Sequence, residues 1–157
     1  MQKIDLLDPV APGAGGDTFG LDLLSQELTL DEKLCLKPYC DTEGKVTIGV
    51  GRNLTDDGIS YAEAATMLAN DIHEATADLD RQMAWWRGLP PAQQRVMANL
   101  SFNMGIERLT GFVKFLAAMR KQDWVTAQAE LRDSKWFGQV GERGPRMLAR
   151  LAGTIDV

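Results

Sequence analysis

The chain has 157 residues and a mass of 17.3 kDa, the usual size of one domain. A composition of 45% hydrophobic and 25% charged residues is typical of globular proteins and excludes wholesale disorder. No apolar run approaches the ~18 residues of a membrane helix. Asp5 and Asp8 would interrupt the apolar core of any secretory signal. The sequence therefore predicts a soluble protein made in the cytosol, with no membrane anchor.

The net charge of -5 is unevenly distributed along the chain. Residues 1–77 carry a charge of -9, and residues 78–157 carry +4. The basic half could face an anionic polymer such as cell-wall material, or it could be a solvated pattern without a partner. A nucleic-acid interface would need tighter basic clusters with interleaved aromatics, so no nucleic-acid partner is predicted.

Histidine and cysteine are too scarce for a catalytic metal. Zinc hydrolases use about three protein ligands, usually including two histidines. The chain has one histidine, His73, and its two cysteines, Cys35 and Cys40, have no recognisable metal spacing. We therefore expect no metal and no cofactor, and any enzymatic chemistry would fall to carboxylates. Whether the two cysteines form a disulfide is left open at this stage.

The first half of the chain predicts an arm, a helix and a small sheet. Residues 1–20 are expected to form a flexible arm, because 9–20 are rich in glycine and proline. Leucines recur at helical spacing over 21–34, although Thr29 to Glu32 could also be a capping box that begins a new helix. Alternating valine and isoleucine after a Glu-Gly turn predict a hairpin over 39–51, with Thr47 facing away from its apolar neighbours.

The second half is predicted to be helical. A capping box at Ser60 and Glu63 begins a long helix that extends to about Trp85, and Pro91 suits the first turn of the next helix. Further helical patterns cover 112–121, 124–132 and 143–151. The fold class is therefore α+β: a sheet lobe over about 21–60, a connecting helix over about 60–85 and a helical lobe over about 86–157. Two lobes joined by a helix predict a cleft between them.

Three polar residues, Glu32, Asp41 and Thr47, follow the pattern E-x8-D-x5-T. Glycosidic cleavage needs an acid for the leaving oxygen and a second group that activates water or attacks the anomeric carbon. A glutamate at a helix C-terminus meets the negative end of the helix dipole, which disfavours its ionised form and suits an acid. An aspartate on a polar turn could activate water, which the threonine hydroxyl could hold. On spacing alone this argument is weak, because glutamate and aspartate are common near turns and ordinary surface charges explain the pattern better.

A longer run of residues makes this pattern specific. The segment LDEKLCLKPYCDTEGKVTIGVG, residues 30–51, resembles the active-site segment of the bacteriophage lysozymes, the endolysin family of glycoside hydrolases. Similar landmarks follow in the same order, including GRNLTDDGIS at 51–60, the segment from Asn99 to Gly105 and the SKWF run at 134–137. The resemblance covers nearly all of residues 21–156. It implies a single lysozyme-like catalytic domain over 21–157.

The resemblance implies a muramidase that hydrolyses the β-1,4 bond between N-acetylmuramic acid and N-acetylglucosamine in peptidoglycan. Glu32 would be the general acid, and Asp41 with Thr47 would position the attacking water. Family members of this type invert the anomeric centre, which places the two carboxyl groups roughly 6.5–9.5 Å apart.

The resemblance also implies supporting and substrate-binding residues. The supporting pairs are Arg143 with Glu32, Glu43 with Lys135 across the cleft mouth, and Arg52 with Asp71. The substrate contacts are Asn53, Phe102, Asn103, Phe115 and Glu130. Of the cleft residues only Phe102 is typical of the family, and Asn103 stands where glutamine is usual, so sugar specificity is not implied.

In this interpretation the protein is a monomer that accumulates in the host cytoplasm and acts on the wall after a separate, holin-like membrane permeabiliser opens the way. Three alternatives remain. A lytic transglycosylase also uses a glutamate acid, but it needs no water held by Asp41 and Thr47. A non-catalytic wall-binding or structural phage protein could keep the fold. A virion-associated lysozyme could use the N-terminal arm for docking.

Overall fold

The computed structural model describes residues 20–153, which divide into two compact units between Ser60 and Tyr61. The predicted arm lies outside the described residues except for Gly20. Within the described range, no helix combines the length and the apolar character needed to span a bilayer.

The first unit begins with α1, Leu21–Glu32, a single helix. The alternative of a new helix starting at Thr29 is wrong, because the Thr29 hydroxyl donates to the carbonyl of Ser25 one turn earlier, inside the same helix. The helix ends at Glu32 because Lys33 adopts a left-handed φ of 61°. The end of α1 therefore positions the Glu32 side chain.

Three strands follow in an antiparallel sheet of order β1-β2-β3: β1 is Cys35–Cys40, β2 is Val46–Gly49 and β3 is Arg52–Asn53. This confirms the predicted hairpin, although β1 begins four residues earlier than the pattern indicated. The side chain of Thr47 is buried while Val46 is exposed, which agrees with their placement on opposite faces. The two cysteines lie at opposite ends of β1, with reduced, exposed thiols. Five residues of strand span about 16 Å, which is too far for a disulfide between them.

The second unit is helical over the described residues. Its elements are α2 (Tyr61–Gln82), a 3₁₀ helix (Ala84–Gly88), α3 (Pro91–Met104), α4 (Ile106–Thr110), α5 (Val113–Arg120), α6 (Trp124–Arg132), α7 (Lys135–Gln139) and α8 (Arg143–Leu151). All five predicted helical segments are present. The short helices α4 and α7 were not predicted, because five residues are too few to establish a periodicity. The α+β class is confirmed.

The core of the second unit is formed by apolar side chains from most of its helices. Its fully buried residues include Leu79, Val96, Met97, Leu100, Leu109, Met119, Leu131, Met147 and Leu151. Trp86 and Trp136 are buried, and Trp85 and Trp124 are partly buried and pack against the core. A core of this kind gives the helix ends fixed positions, and these ends shape the surface cavities of the unit.

An ionic cluster joins the end of α2 to the 3₁₀ helix. Asp80 accepts hydrogen bonds from the indole nitrogen of Trp86 and from Nε and Nη2 of Arg87, each at 2.8 Å. The Arg87 guanidinium also lies 4.1 Å from the centre of the Trp86 ring. The Arg87 and Trp86 bonds lower the pKa of Asp80 to about 2, because they stabilise its carboxylate form.

Candidate active site

The carboxyl group of Glu32 lies against the turn between β2 and β3. A Cβ atom added to Gly51 would lie 3.3 Å from Glu32 Oε2 and 3.5 Å from its Cδ. Gly51 also has a φ of 71°, a conformation that side chains disfavour. Glycine is therefore favoured at position 51 by its backbone conformation, and any Cβ there would require the Glu32 carboxyl group to shift by a few tenths of an ångström. Gly51 is part of the motif at residues 30–51, but the sequence pattern does not indicate this contact.

Asp41 lies in the turn between β1 and β2, where the backbone holds its carboxylate. Its Oδ1 accepts hydrogen bonds from the backbone amides of Glu43 and Lys45, each at 2.9 Å. The turn is closed by further backbone bonds from the Asp41 amide to Lys45 and from the Gly44 amide to Asp41. Within the described residues no hydrogen bond engages the second oxygen, Oδ2. One oxygen therefore fixes the orientation of the group, and the other is available to a ligand.

Thr47 lies in the central strand and pairs with Tyr39 of β1 and Asn53 of β3. Its side chain is 5% exposed. The Thr47 hydroxyl lies 3.4 Å from the Lys45 carbonyl, at the long limit of a hydrogen bond, and the Asp41 amide donates to the same carbonyl at 2.9 Å. Asp41 and Thr47 are thus tied to one backbone group. The weakly bonded hydroxyl can reorient toward a ligand.

The residues implied as substrate contacts have different environments. Asn53 is engaged within its own loop, donating to the Asp56 carboxylate and accepting from the Asp56 amide. Asn103 accepts a 2.7 Å hydrogen bond from the indole of Trp136, so its oxygen has a structural partner. Phe102 is 42% exposed and presents its ring to solvent. These three are not shown to share a site.

Phe115 and Glu130 are brought together in the second unit. Both line a surface cavity of about 400 Å³ between the start of α5 and the end of α6. Phe115 is 1% exposed and can only form the floor, while Glu130 is half-buried. A second cavity, of about 320 Å³, is lined by Phe102 and Asp71 together with neighbouring residues of α2 and α3. Lys114 and Asp133, which also line the first cavity, were not identified from the sequence.

The structure describes the surroundings of the supporting residues one by one. Glu43 is exposed, and its amide helps to hold Asp41. Arg52 donates from Nη1 to the Gly58 carbonyl at 3.5 Å. Each implied pair joins a residue of the first unit to one of the second: Arg143 to Glu32, Lys135 to Glu43, and Asp71 to Arg52. These pairings stay predictions.

Among residues 20–153, no three histidine, cysteine or acidic side chains converge in a way that could hold a metal ion. The chemistry that the described groups offer is that of one exposed carboxyl, one backbone-held carboxylate and one hydroxyl.

A family model for phage lysozyme matches residues 31–152, which include Glu32, Asp41 and Thr47. The chain belongs to the phage lysozyme family. Membership supports a peptidoglycan-hydrolysing lysozyme function, of the glycoside hydrolase class, at the level of the family.

The chain is also similar to individual members and relatives of this family. Over 162 residues it is 29% identical to the pre-baseplate central spike protein Gp5 of Enterobacteria phage T4, covering 85% of this chain and 28% of that protein. It is 24% identical to the probable T4-type lysozyme 2 of Dictyostelium discoideum, covering 80% of this chain and 91% of that protein. The probable T4-type lysozyme 1 of the same organism is 23% identical, with coverages of 82% and 94%. The chain thus spans just over a quarter of the spike protein.

Proposed function

We propose that this chain is a muramidase that hydrolyses the β-1,4 bond between N-acetylmuramic acid and N-acetylglucosamine in peptidoglycan. The proposal assigns Glu32 as the general acid, and Asp41 with Thr47 as the residues that position water. It is supported by the family match, which includes all three residues. The catalytic domain would extend over residues 21–157.

One observation carries the proposal: Glu32 and Asp41 are each positioned by the backbone of the same small unit, Glu32 by its contact with Gly51 and Asp41 by hydrogen bonds. Glu32 lies at a helix end, with its carboxyl group against the bare Cα of Gly51. Asp41 is oriented by two backbone amides of its turn. Groups held by backbone geometry stay in place when substrate binds, which is the condition for effective catalysis by position.

The reaction follows from these roles. Glu32 donates its proton to the glycosidic oxygen as the bond to the anomeric carbon breaks. Water held by Asp41 Oδ2 and the Thr47 hydroxyl attacks the opposite face of that carbon and gives its proton to Asp41. The products are a new sugar hydroxyl and a reducing end with inverted configuration. Inversion requires room for the water, so the two carboxyl groups should be separated by roughly 6.5–9.5 Å.

The remaining roles are also part of the proposal. Asn53, Phe102, Asn103, Phe115 and Glu130 are the proposed sugar contacts. The pairs of Arg143 with Glu32, Glu43 with Lys135, and Arg52 with Asp71 would support the cleft. The protein would act as a monomer without a cofactor and cause host lysis after a holin-like partner permeabilises the membrane.

Mass spectrometry of fragments released from purified Gram-negative peptidoglycan tests the proposal. The wild type should release fragments ending in hydrated, reducing N-acetylmuramic acid. Glu32→Gln should lower the rate by about 10²–10⁴-fold, the usual contribution of a general acid. Glu27→Gln, on the same exposed helix, is the matched control and should remain active. Anhydro ends would assign a lytic transglycosylase, and no fragments from the folded wild type would favour a binding or structural role.

Similarity to the spike protein supports a second candidate function, a lysozyme carried by the virion. This candidate has the same chemistry but acts during entry rather than release. Proteomics of purified virions separates the two: peptides of this chain at stoichiometric levels support the virion role, and their absence from virions but presence in lysates supports the endolysin role.

A further inference from the structure

The backbone of Lys45 is the point at which the two proposed water-holding residues meet. Its amide donates to Asp41 Oδ1 at 2.9 Å, and its carbonyl accepts from the Asp41 amide at 2.9 Å. The Thr47 hydroxyl lies 3.4 Å from the same carbonyl. A displacement of Lys45 would therefore reach Asp41 and Thr47 together.

The chain that leaves β3 forms a turn over residues 53–56. Asn53 Oδ1 accepts a hydrogen bond from the Asp56 amide at 3.0 Å, and Asn53 Nδ2 donates to Asp56 Oδ2 at 2.8 Å. Asparagine is favoured at the start of such turns, because its side chain can bond to the backbone a few residues later. These two bonds orient the Asp56 carboxylate within the turn.

Two side chains of this turn bind the residues that carry Asp41 and Thr47. The Thr55 hydroxyl accepts a hydrogen bond from the Val46 amide at 2.9 Å. The Leu54 amide donates to the Val46 carbonyl at 2.7 Å, so the Thr55 hydroxyl takes the place of the strand carbonyl that would complete this pair of ladder bonds. Asp56 Oδ2 forms an ion pair with Lys45 Nζ. The first contact fixes the backbone next to Lys45, and the second fixes its side chain.

These contacts contribute to geometry more than to the stability of the fold. The side chains of Lys45 and Asp56 are 37% and 49% exposed, and ion pairs with this exposure add little to stability. Thr55 is also exposed, so replacing it opens no cavity in a core. Variants at these positions should therefore fold, which allows the effect on the reaction to be measured separately.

We propose that Thr55 and Asp56 are positioning residues for the reaction. They hold Val46 and Lys45 so that Asp41 Oδ2 and the Thr47 hydroxyl stay in the geometry that the attacking water needs. The inference rests on the proposed function, because it explains how the proposed water site keeps its shape. Since neither side chain is assigned a contact with the sugar, losing either one should lower kcat and leave KM unchanged.

Kinetics on solubilised Gram-negative peptidoglycan test this assignment. Thr55→Val removes the acceptor with little change of shape, and it should lower kcat about tenfold, because a misplacement of ~1 Å can cost ~10²-fold. Asp56→Asn should lower kcat by a smaller factor, about threefold, because its ion pair is exposed. Thr55→Ser keeps the acceptor and should restore the wild-type kcat. KM should stay within about twofold of the wild-type value in all three variants.

Two substitutions of the same chemical kind are the matched controls. Asp57→Asn removes a charge next to Asp56 but keeps the backbone bond from the Asp57 amide to the Asn53 carbonyl. Thr66→Val removes a hydroxyl that bonds only within α2, to the Ala62 carbonyl. Both controls should keep the wild-type kcat and KM.

A double-variant comparison separates positioning from a general loss of folded protein. If Thr55 acts through Asp41, adding Thr55→Val to Asp41→Ala should lower the residual rate less than about twofold. If Thr55→Val only reduces the amount of folded enzyme, it should cost the same tenfold in both backgrounds. That second result would overturn the inference.

Hydrogen exchange of the Lys45 amide, followed by NMR, gives a readout that needs no catalysis. This amide donates to Asp41 Oδ1, so Thr55→Val should speed its exchange about tenfold, whereas Asp57→Asn should leave it unchanged. Hydrolysis and Lys45 exchange that are both insensitive to Thr55→Val would overturn this inference alone. Faster exchange in Thr55→Val, with no hydrolysis by the folded wild type, would support the link between the two turns and count against the proposed function alone.

Discussion

At the scale of single residues, the contact between Glu32 and Gly51 decides how the proposed acid is positioned. A Cβ atom at position 51 would lie 3.3 Å from Oε2 of this carboxyl group, which is a tight contact. The exposed helix end alone would leave a glutamate free to sample several rotamers. The turn at Gly51 gives the Glu32 carboxyl group a defined neighbour, and this contact connects the end of α1 to the sheet.

Gly51→Ala should therefore impair catalysis more than stability. The new methyl group would require the Glu32 carboxyl group to shift by a few tenths of an ångström. We expect a loss of activity below the ~10²-fold that a ~1 Å misplacement can cause. The left-handed backbone adds a cost of roughly 1–2 kcal/mol. Gly58→Ala is the control, because Gly58 has a φ of 60° but no atom within 4 Å of the added Cβ. Steady-state kinetics and urea unfolding of both variants test whether the Glu32–Gly51 contact positions the acid. An equal loss of kcat/KM in the two variants would contradict this role.

At the scale of elements, the Asp80 cluster makes the junction of α2 and the 3₁₀ helix sensitive to acid. The pKa of Asp80 is about 2 in the folded chain, below its ordinary value of 3.8. The unfolded state therefore binds this proton first, and the contribution to stability is complete above about pH 4. It is lost as the pH falls through about 2.

Asp80→Asn tests this pH dependence. The variant should be less stable than the wild type near neutral pH, and the difference should shrink as the pH falls from about 4 to 2. Thermal unfolding measured across this range provides the comparison. A difference that stays constant with pH would show that the carboxylate charge does not act through this cluster.

Packing of α7 against α8 provides a second test at this scale. A Cβ at Gly144 would lie 2.8 Å from the Phe137 ring, closer than atoms can pack. Gly144→Ala should thus lower the free energy of unfolding by about 1–3 kcal/mol. Gly138→Ala, in α7 with no neighbour within 4 Å of its added Cβ, should be neutral or stabilising by about 0.5–1 kcal/mol. Denaturant unfolding that ranks the two variants in reverse order would contradict this packing.

At the scale of the whole molecule, periodic segments could be predicted and contacts between distant residues could not. The alternation around Thr47 and the apolar stripe of α3 each repeat often enough to identify an element. The short α4 and α7 lack such repetition. The meeting of α5 and α6, which creates the charged cavity, depends on tertiary packing, and no local pattern encodes it.

The same distinction applies to the candidate site. The motif from Leu30 to Gly51 identified the three proposed catalytic residues through resemblance. The sequence did not indicate that Gly51 contacts Glu32, nor that the amides of Glu43 and Lys45 hold Asp41. Such details depend on backbone conformation at turns, where one residue's φ angle changes which atoms meet.

The proposed mechanism requires that water held by Asp41 and Thr47 attacks directly as Glu32 protonates the leaving oxygen. Proton NMR of the reducing ends, recorded immediately after cleavage of β-1,4-linked glycan, tests it most directly. The α anomer of N-acetylmuramic acid should appear first, and the β anomer should follow by mutarotation. A β anomer formed first, or anhydro ends without a reducing proton, would contradict this mechanism.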